Sequence, residues 1–103
     1  MYKLIVFVPK THLSKARDAI CKAGAGKIGN YDYCTFATEG IGTYRPLKGA
    51  KPYKGKINKI EKVKEFRLEV LVPKGSLKQV IRALKAVHPY EEPAYDVYRI
   101  TPA

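Results

Sequence analysis

The chain has 103 residues, 46% of them hydrophobic, which suits one domain over 1–103 with a single two-layer core. Its 20 Lys+Arg against 9 Asp+Glu give a formal charge of +11, enough to attract polyanions at low salt. No apolar run reaches the roughly 18 residues of a membrane helix, so no membrane partner is expected.

Met1 to Val8 is rich in Ile, Val and aromatic residues and stops at Pro9 without a small-residue cleavage site. It reads as a buried strand rather than a signal peptide, and the chain as cytoplasmic. Leu13, Ala16, Ala19, Ile20 and Ala23 then fall at helical spacing and end at Gly24, predicting a helix over about 12–23 with Thr11 as a plausible N-cap. The glycine-rich run from Gly24 to Asn30 follows a helix instead of opening one, so it fails the context of a dinucleotide or phosphate loop. It is a helix cap with a tight turn, or a place where a ligand approaches the backbone.

Tyr31 to Thr38 reads as a second strand. From Gly40 to Lys59, Gly and Pro recur without periodicity, which predicts an irregular loop over about 40–60 with a short strand near Ile41 to Tyr44. Lys62 to Val72 alternates Phe66, Leu68, Val70 and Val72 with Glu65, Arg67 and Glu69, a strand with one buried face and one face wet or paired with another chain. Pro73 to Gly75 turns the chain, Ser76 can cap, and Leu77, Val80, Ile81, Leu84 and Val87 form the stripe of a second helix. Ala94 to Ile100 is the last strand. The order predicts an α+β, ferredoxin-like fold: an antiparallel sheet with two helices on one face.

Two segments stand apart electrically. Arg45, Lys48, Lys51, Lys54, Lys56 and Lys59 make the loop basic, whereas His88-Pro89-Tyr90-Glu91-Glu92-Pro93-Ala94-Tyr95-Asp96 is acidic and conformationally restricted by its prolines. Cys21 and Cys34 lack metal or redox spacing and read as free thiols.

Gly24-Ala25-Gly26-Lys27-Ile28-Gly29-Asn30-Tyr31, then Cys34 and Phe36, then Gly40-Ile41-Gly42-Thr43-Tyr44-Arg45-Pro46, then the run from His88 to Asp96 resemble the inserted CutA-like domain of the Nif-three-type dinuclear-metal proteins. The chain is similar in broad plan to CutA itself. The resemblance implies a CutA/PII-like subunit that assembles into a homotrimer. It also implies that the two metals belong to a flanking domain outside this sequence, so a cyclohydrolase label is not carried over. Lys51, Lys54 and Lys56 make this loop more basic than the family pattern.

Three functions follow as expectations. The first is a non-enzymatic regulatory or scaffolding module, its partner itself, with a small anionic ligand in clefts between subunits. Gly26, Gly29, Asn30, Tyr31, Arg45, His88, Tyr90 and Glu91 are its candidate ligand-binding residues. The second is a metal module using His88, Glu91 and Glu92, set against the plainer reading of His88 as a helix-end cation or hydrogen-bond donor. The third, non-specific nucleic-acid binding through the basic loop, lacks any recognition motif. No nucleophile–base–orienter pattern is present, so no catalysis is expected, and no cofactor is assigned.

Overall fold

The structure, a computed structural model, describes residues 1–101. Strands β1 (Tyr2–Pro9), β2 (Thr35–Tyr44), β3 (Glu61–Val72) and β4 (Tyr95–Arg99) alternate with helices α1 (Leu13–Lys22) and α2 (Leu77–Val87). The sheet order is β2-β3-β1-β4 with every neighbour antiparallel, the ferredoxin-like arrangement.

Alternation decides which side of the sheet is dry. Leu4, Val6 and Val8 of β1 and Leu68, Val70 and Val72 of β3 point to the helices, where Ala16, Ile20, Val80 and Leu84 complete the core. Lys3, Ile5 and Phe7 take the opposite, helix-free face. Cross-strand pairing places Phe36, Glu69, Ile5 and Asp96 in one row across that face. Lys3 Nζ bonds the Glu69 carboxylate there at 3.1 Å, and Arg67 Nε approaches it at 3.6 Å.

Three expectations need correcting. The second strand begins at Thr35, not Tyr31, because Tyr33 has φ 55° and cannot lie in a pleated strand. It then runs unbroken to Tyr44, absorbing both the expected short strand and Gly40, so the irregular loop is 45–60. Thr11 does not cap α1: its hydroxyl meets His12 Nδ1 at 2.9 Å, and a 3-10 turn over Lys10–His12 leads into the helix. Ser76 occupies the N-cap position of α2 without a side-chain bond.

The end of α1 is as expected. Gly24 at φ 121° lets Ala25 N–H reach Ile20 O at 3.0 Å and Gly24 N–H reach Cys21 O at 3.2 Å, the paired bonds of a Schellman cap. A side chain at Gly24 would also meet Ser76. Both cysteines are free, Cys21 in the core.

Candidate functional site

Loop 45–60 folds back toward the end of the sheet where β1 stops and α2 gives way to the turn at His88. Its own bonds hold it: Asn58 N–H to Pro46 O at 2.6 Å, Ala50 N–H to Leu47 O at 2.9 Å, and Tyr44 Oη to Lys54 O at 2.5 Å. Lys51 donates its backbone N–H to Glu91 Oε1 at 3.1 Å, so the basic loop and the acidic turn are joined directly. Between them lies a cleft of about 450 Å³, within the size range of small-ligand sites.

Its walls are rings. Tyr90 packs at centroid distances of 5.9 Å on Tyr44 and 6.2 Å on Tyr53, and Tyr53 meets His12 edge-on at 5.9 Å. Phe7, Pro46 and Pro52 add apolar surface, while Arg45, Glu65, Glu91 and Glu92 bring charge. Glu65 comes from the helix-free face of β3, beside Gly42 of β2. A Cβ at Gly42 would run into the Glu65 carboxylate, which is why glycine stands inside this strand.

His88 lies behind this cleft, 7% exposed, with both ring nitrogens engaged. Its Nε2 is 2.8 Å from Phe7 O, a group that only accepts, so Nε2 carries the proton. Its Nδ1 then accepts Tyr90 N–H at 3.2 Å. Burial lowers the His88 pKa, opposed in part by the Phe7 bond and by Glu65. Burial, then Glu65, raises the Tyr90 phenol, so that its hydroxyl remains a donor.

The sequence candidates therefore separate into two groups. Arg45, Tyr90 and Glu91 line the cleft, and His88 supports it. Gly26, Gly29, Asn30 and Tyr31 sit elsewhere: Gly26 N–H bonds Leu71 O at 2.9 Å, level with Lys3, whereas the cleft is level with Phe7. Those positions are four residues apart on β1, roughly 13 Å at the rise of an extended strand. Gly29 and Asn30 form an exposed turn between the bridged Ile28 and Tyr31. The donor set expected for a metal is dispersed in kind: His88 has no free lone pair, Glu91 holds the Lys51 amide, and no group of three potential ligands gathers among the described residues.

Sequence reasoning missed Glu65 as a site residue, and had Tyr44 and Tyr53 only as rings amid the lysines that could stack on nucleic-acid bases. A glycine two residues before Tyr44, inside an alternating strand, was the available signal that something crosses close to the backbone there.

No protein-family model matches the chain. It is 50% identical over 98 residues to the "GTP cyclohydrolase 1 type 2 homolog" of Halalkalibacterium halodurans, covering 95% of this chain and 26% of that protein. The protein of the same name from Bacillus subtilis is 50% identical over 103 residues, covering 98% and 28%. The crystal structure of a Bacillus cereus protein related to NIF3 superposes with a TM-score of 0.85 at 44% identity, covering 98% of this chain and 26% of that one. CutA1 from Pyrococcus horikoshii shares the fold, with a TM-score of 0.71 at 18% identity over 100% of this chain and 86% of its own. The chain thus spans about a quarter of the length of the NIF3-related proteins that it matches. The chain thus has the fold of CutA and is similar in sequence, over nearly all its own length, to one segment of NIF3-related proteins.

Proposed function

We propose that the chain is a non-catalytic regulatory or scaffolding module that associates with copies of itself and holds a small ligand in the cleft under loop 45–60. The observation that carries the reading is β2. It is a ten-residue strand at the sheet edge, Thr35–Tyr44, with neither Lys nor Pro to protect its unpaired backbone groups. Phe36 is 66% exposed and Ile41 73% exposed along it, one on each side of the sheet. An edge of that length and character is matched by another copy more readily than by water. The likeness to CutA subunits favours three copies.

The non-catalytic part rests on the site's chemistry. The imidazole nearest the cleft is committed to backbone partners, and among the described residues no hydroxyl or thiol is held against it. The activity in the relatives' name belongs to proteins of which this chain spans about a quarter.

The test is the assembly's response to its edge. Phe36→Glu and Ile41→Lys each introduce a charge on β2, and both should shift the assembly toward single chains with unchanged far-UV circular dichroism. An assembly indifferent to both substitutions would place the contact elsewhere and remove the edge from the reading.

A further inference from the structure

The sequence spacing of Cys21 and Cys34 carries no redox signature, yet the fold brings the two free thiols to one place. Gly26 lies between them and is fixed by its own backbone. Its N–H donates to Leu71 O at 2.9 Å, and its carbonyl accepts Cys34 N–H at 2.9 Å. A Cβ added to Gly26 would sit 3.3 Å from Cys21 Sγ and 3.1 Å from Cys34 N. One small unfilled spot therefore touches the sulfur of the first cysteine and the backbone of the second. Cys21 Sγ is at most about 6.5 Å from Cys34 N, comparable with the roughly 4.4–6.8 Å between the Cα atoms of bonded cysteines.

The two thiols differ in access. Cys21 is 5% exposed and belongs to the core, whereas Cys34 is half-buried and lines an open groove of about 400 Å³ beside Lys3, Ile28 and Phe36. Burial is the largest cause raising the Cys21 thiol, and Cys34 is among the charges that add to it, as only a near neighbour does. The Cys34 side chain is weakly held: its Sγ reaches Asp32 O at 3.7 Å, a long bond from a weak donor. Turning it toward Gly26 gives up little.

We propose that Cys21 and Cys34 are an oxidation site, at which a small-molecule disulfide converts the two thiols into one intramolecular bond across Gly26. Cys34, the accessible sulfur, attacks as thiolate on one sulfur of the oxidant, forming a mixed disulfide and expelling one small thiolate. Cys21 then gives up its proton, attacks the Cys34 sulfur and expels the second small thiolate. The two protons released by the protein end on the two expelled thiolates, so two protein thiols are oxidised and one small disulfide is reduced to two thiols. Gly26 is part of the device, because a side chain there would fill the space that the bond must cross. The bond closes residues 22–33 into a ring between the last turn of α1 and the entry to β2. That ring contains the exposed Ile28–Tyr31 bridge, and closing it restrains the unfolded chain as well as the folded one.

The test uses the purified full chain, first reduced and then held in excess oxidised glutathione at mildly alkaline pH. It should lose both free thiols, fall in mass by two hydrogen atoms and yield, on digestion without reductant, a peptide pair joining Cys21 to Cys34. The melting temperature should rise by roughly 5 °C or more and return when dithiothreitol is added. Hydrogen exchange at the Ile28 and Tyr31 amides should slow. Cys21→Ala should stop at a glutathione adduct on Cys34, and Cys34→Ser should leave Cys21 unmodified in the folded chain. A wild-type chain that stops at the glutathione adduct, joins Cys34 to another copy or keeps both thiols would overturn the proposal. A bond that forms but lowers the melting temperature would overturn it as well, since the sulfurs would then meet only by distorting the fold.

Discussion

His88 Nε2 donates to the carbonyl oxygen of Phe7 across 2.8 Å, tying the turn after α2 to the end of β1, 81 positions earlier in the chain. Because Phe7 O fixes the proton on Nε2, the opposite nitrogen is free to accept Tyr90 N–H and orient the ring that walls the cleft. One neutral imidazole thus spans strand, helix end and candidate site. Protonating it would place a hydrogen on Nδ1 facing the Tyr90 N–H.

The pH dependence follows in sign. Burial holds the folded pKa of His88 below its ordinary value of 6.5. Between those two values the unfolded chain binds more protons than the folded one. The contribution is therefore full above about pH 6.5 and is lost as pH falls through the lower, folded value. Melting temperatures from pH 7.5 down to pH 5 should fall more steeply for the wild type than for His88→Gln. Parallel profiles would show that His88 does not titrate differently in the two states.

Tyr90→Phe should leave the melting temperature of the unliganded chain unchanged or raise it. The substitution removes a buried hydroxyl that has no partner and keeps the ring contacts with Tyr44 and Tyr53. A loss of about 1 kcal/mol by denaturant titration would mean that the hydroxyl does bond Glu65 in solution.

Gly42 and Glu65 should couple. Alanine at 42 gains about 0.4–1 kcal/mol by restricting the unfolded chain, because Gly42 lies outside the left-handed region. The collision with the Glu65 carboxylate opposes that gain, at about 1–3 kcal/mol where the side chain cannot move away. Gly42→Ala should therefore destabilise the wild type and stabilise Glu65→Ala. The same sign in both backgrounds would contradict the contact.

The bond from Lys51 N–H to Glu91 is made by the backbone of one partner and the side chain of the other. Glu91→Ala should accordingly speed hydrogen exchange at the Lys51 amide, whereas Gln at position 91, still an acceptor, should slow it again. Global stability should change by less than about 1 kcal/mol, since both groups are exposed. An amide equally protected in wild type and Glu91→Ala would show that this bond does not anchor loop 45–60.

Much of the fold was legible because period and punctuation agreed. Phe66, Leu68, Val70 and Val72 alternate strictly and all face the core, and Gly24 ends α1 as its position suggested. β2 was misplaced at both ends, starting later and running further than expected, for opposite reasons. Tyr33 leaves the strand through a left-handed conformation that no local pattern announces, and Gly40 and Gly42 continue a strand that their propensity argues against. The site was half legible. Arg45, Tyr90 and Glu91 stood out by residue type, but Glu65 looked like any solvated alternate of β3. Only the pairing of Gly42 with Val63 places its neighbour Glu65 over the glycine, and pairing is a tertiary fact. The glycine turn at Gly29 and Asn30 drew attention by composition, yet in the single chain it lies at the other end of β1.

The central proposal is self-association through the β2 edge of the sheet, and the chain's mass in solution tests it most directly. Sedimentation equilibrium of the purified chain near neutral pH should return about three times the 11.6 kDa chain mass, unchanged on dilution through the micromolar range. A mass of one chain at every concentration would contradict the assembly and leave β2 an open edge with nothing to cover it.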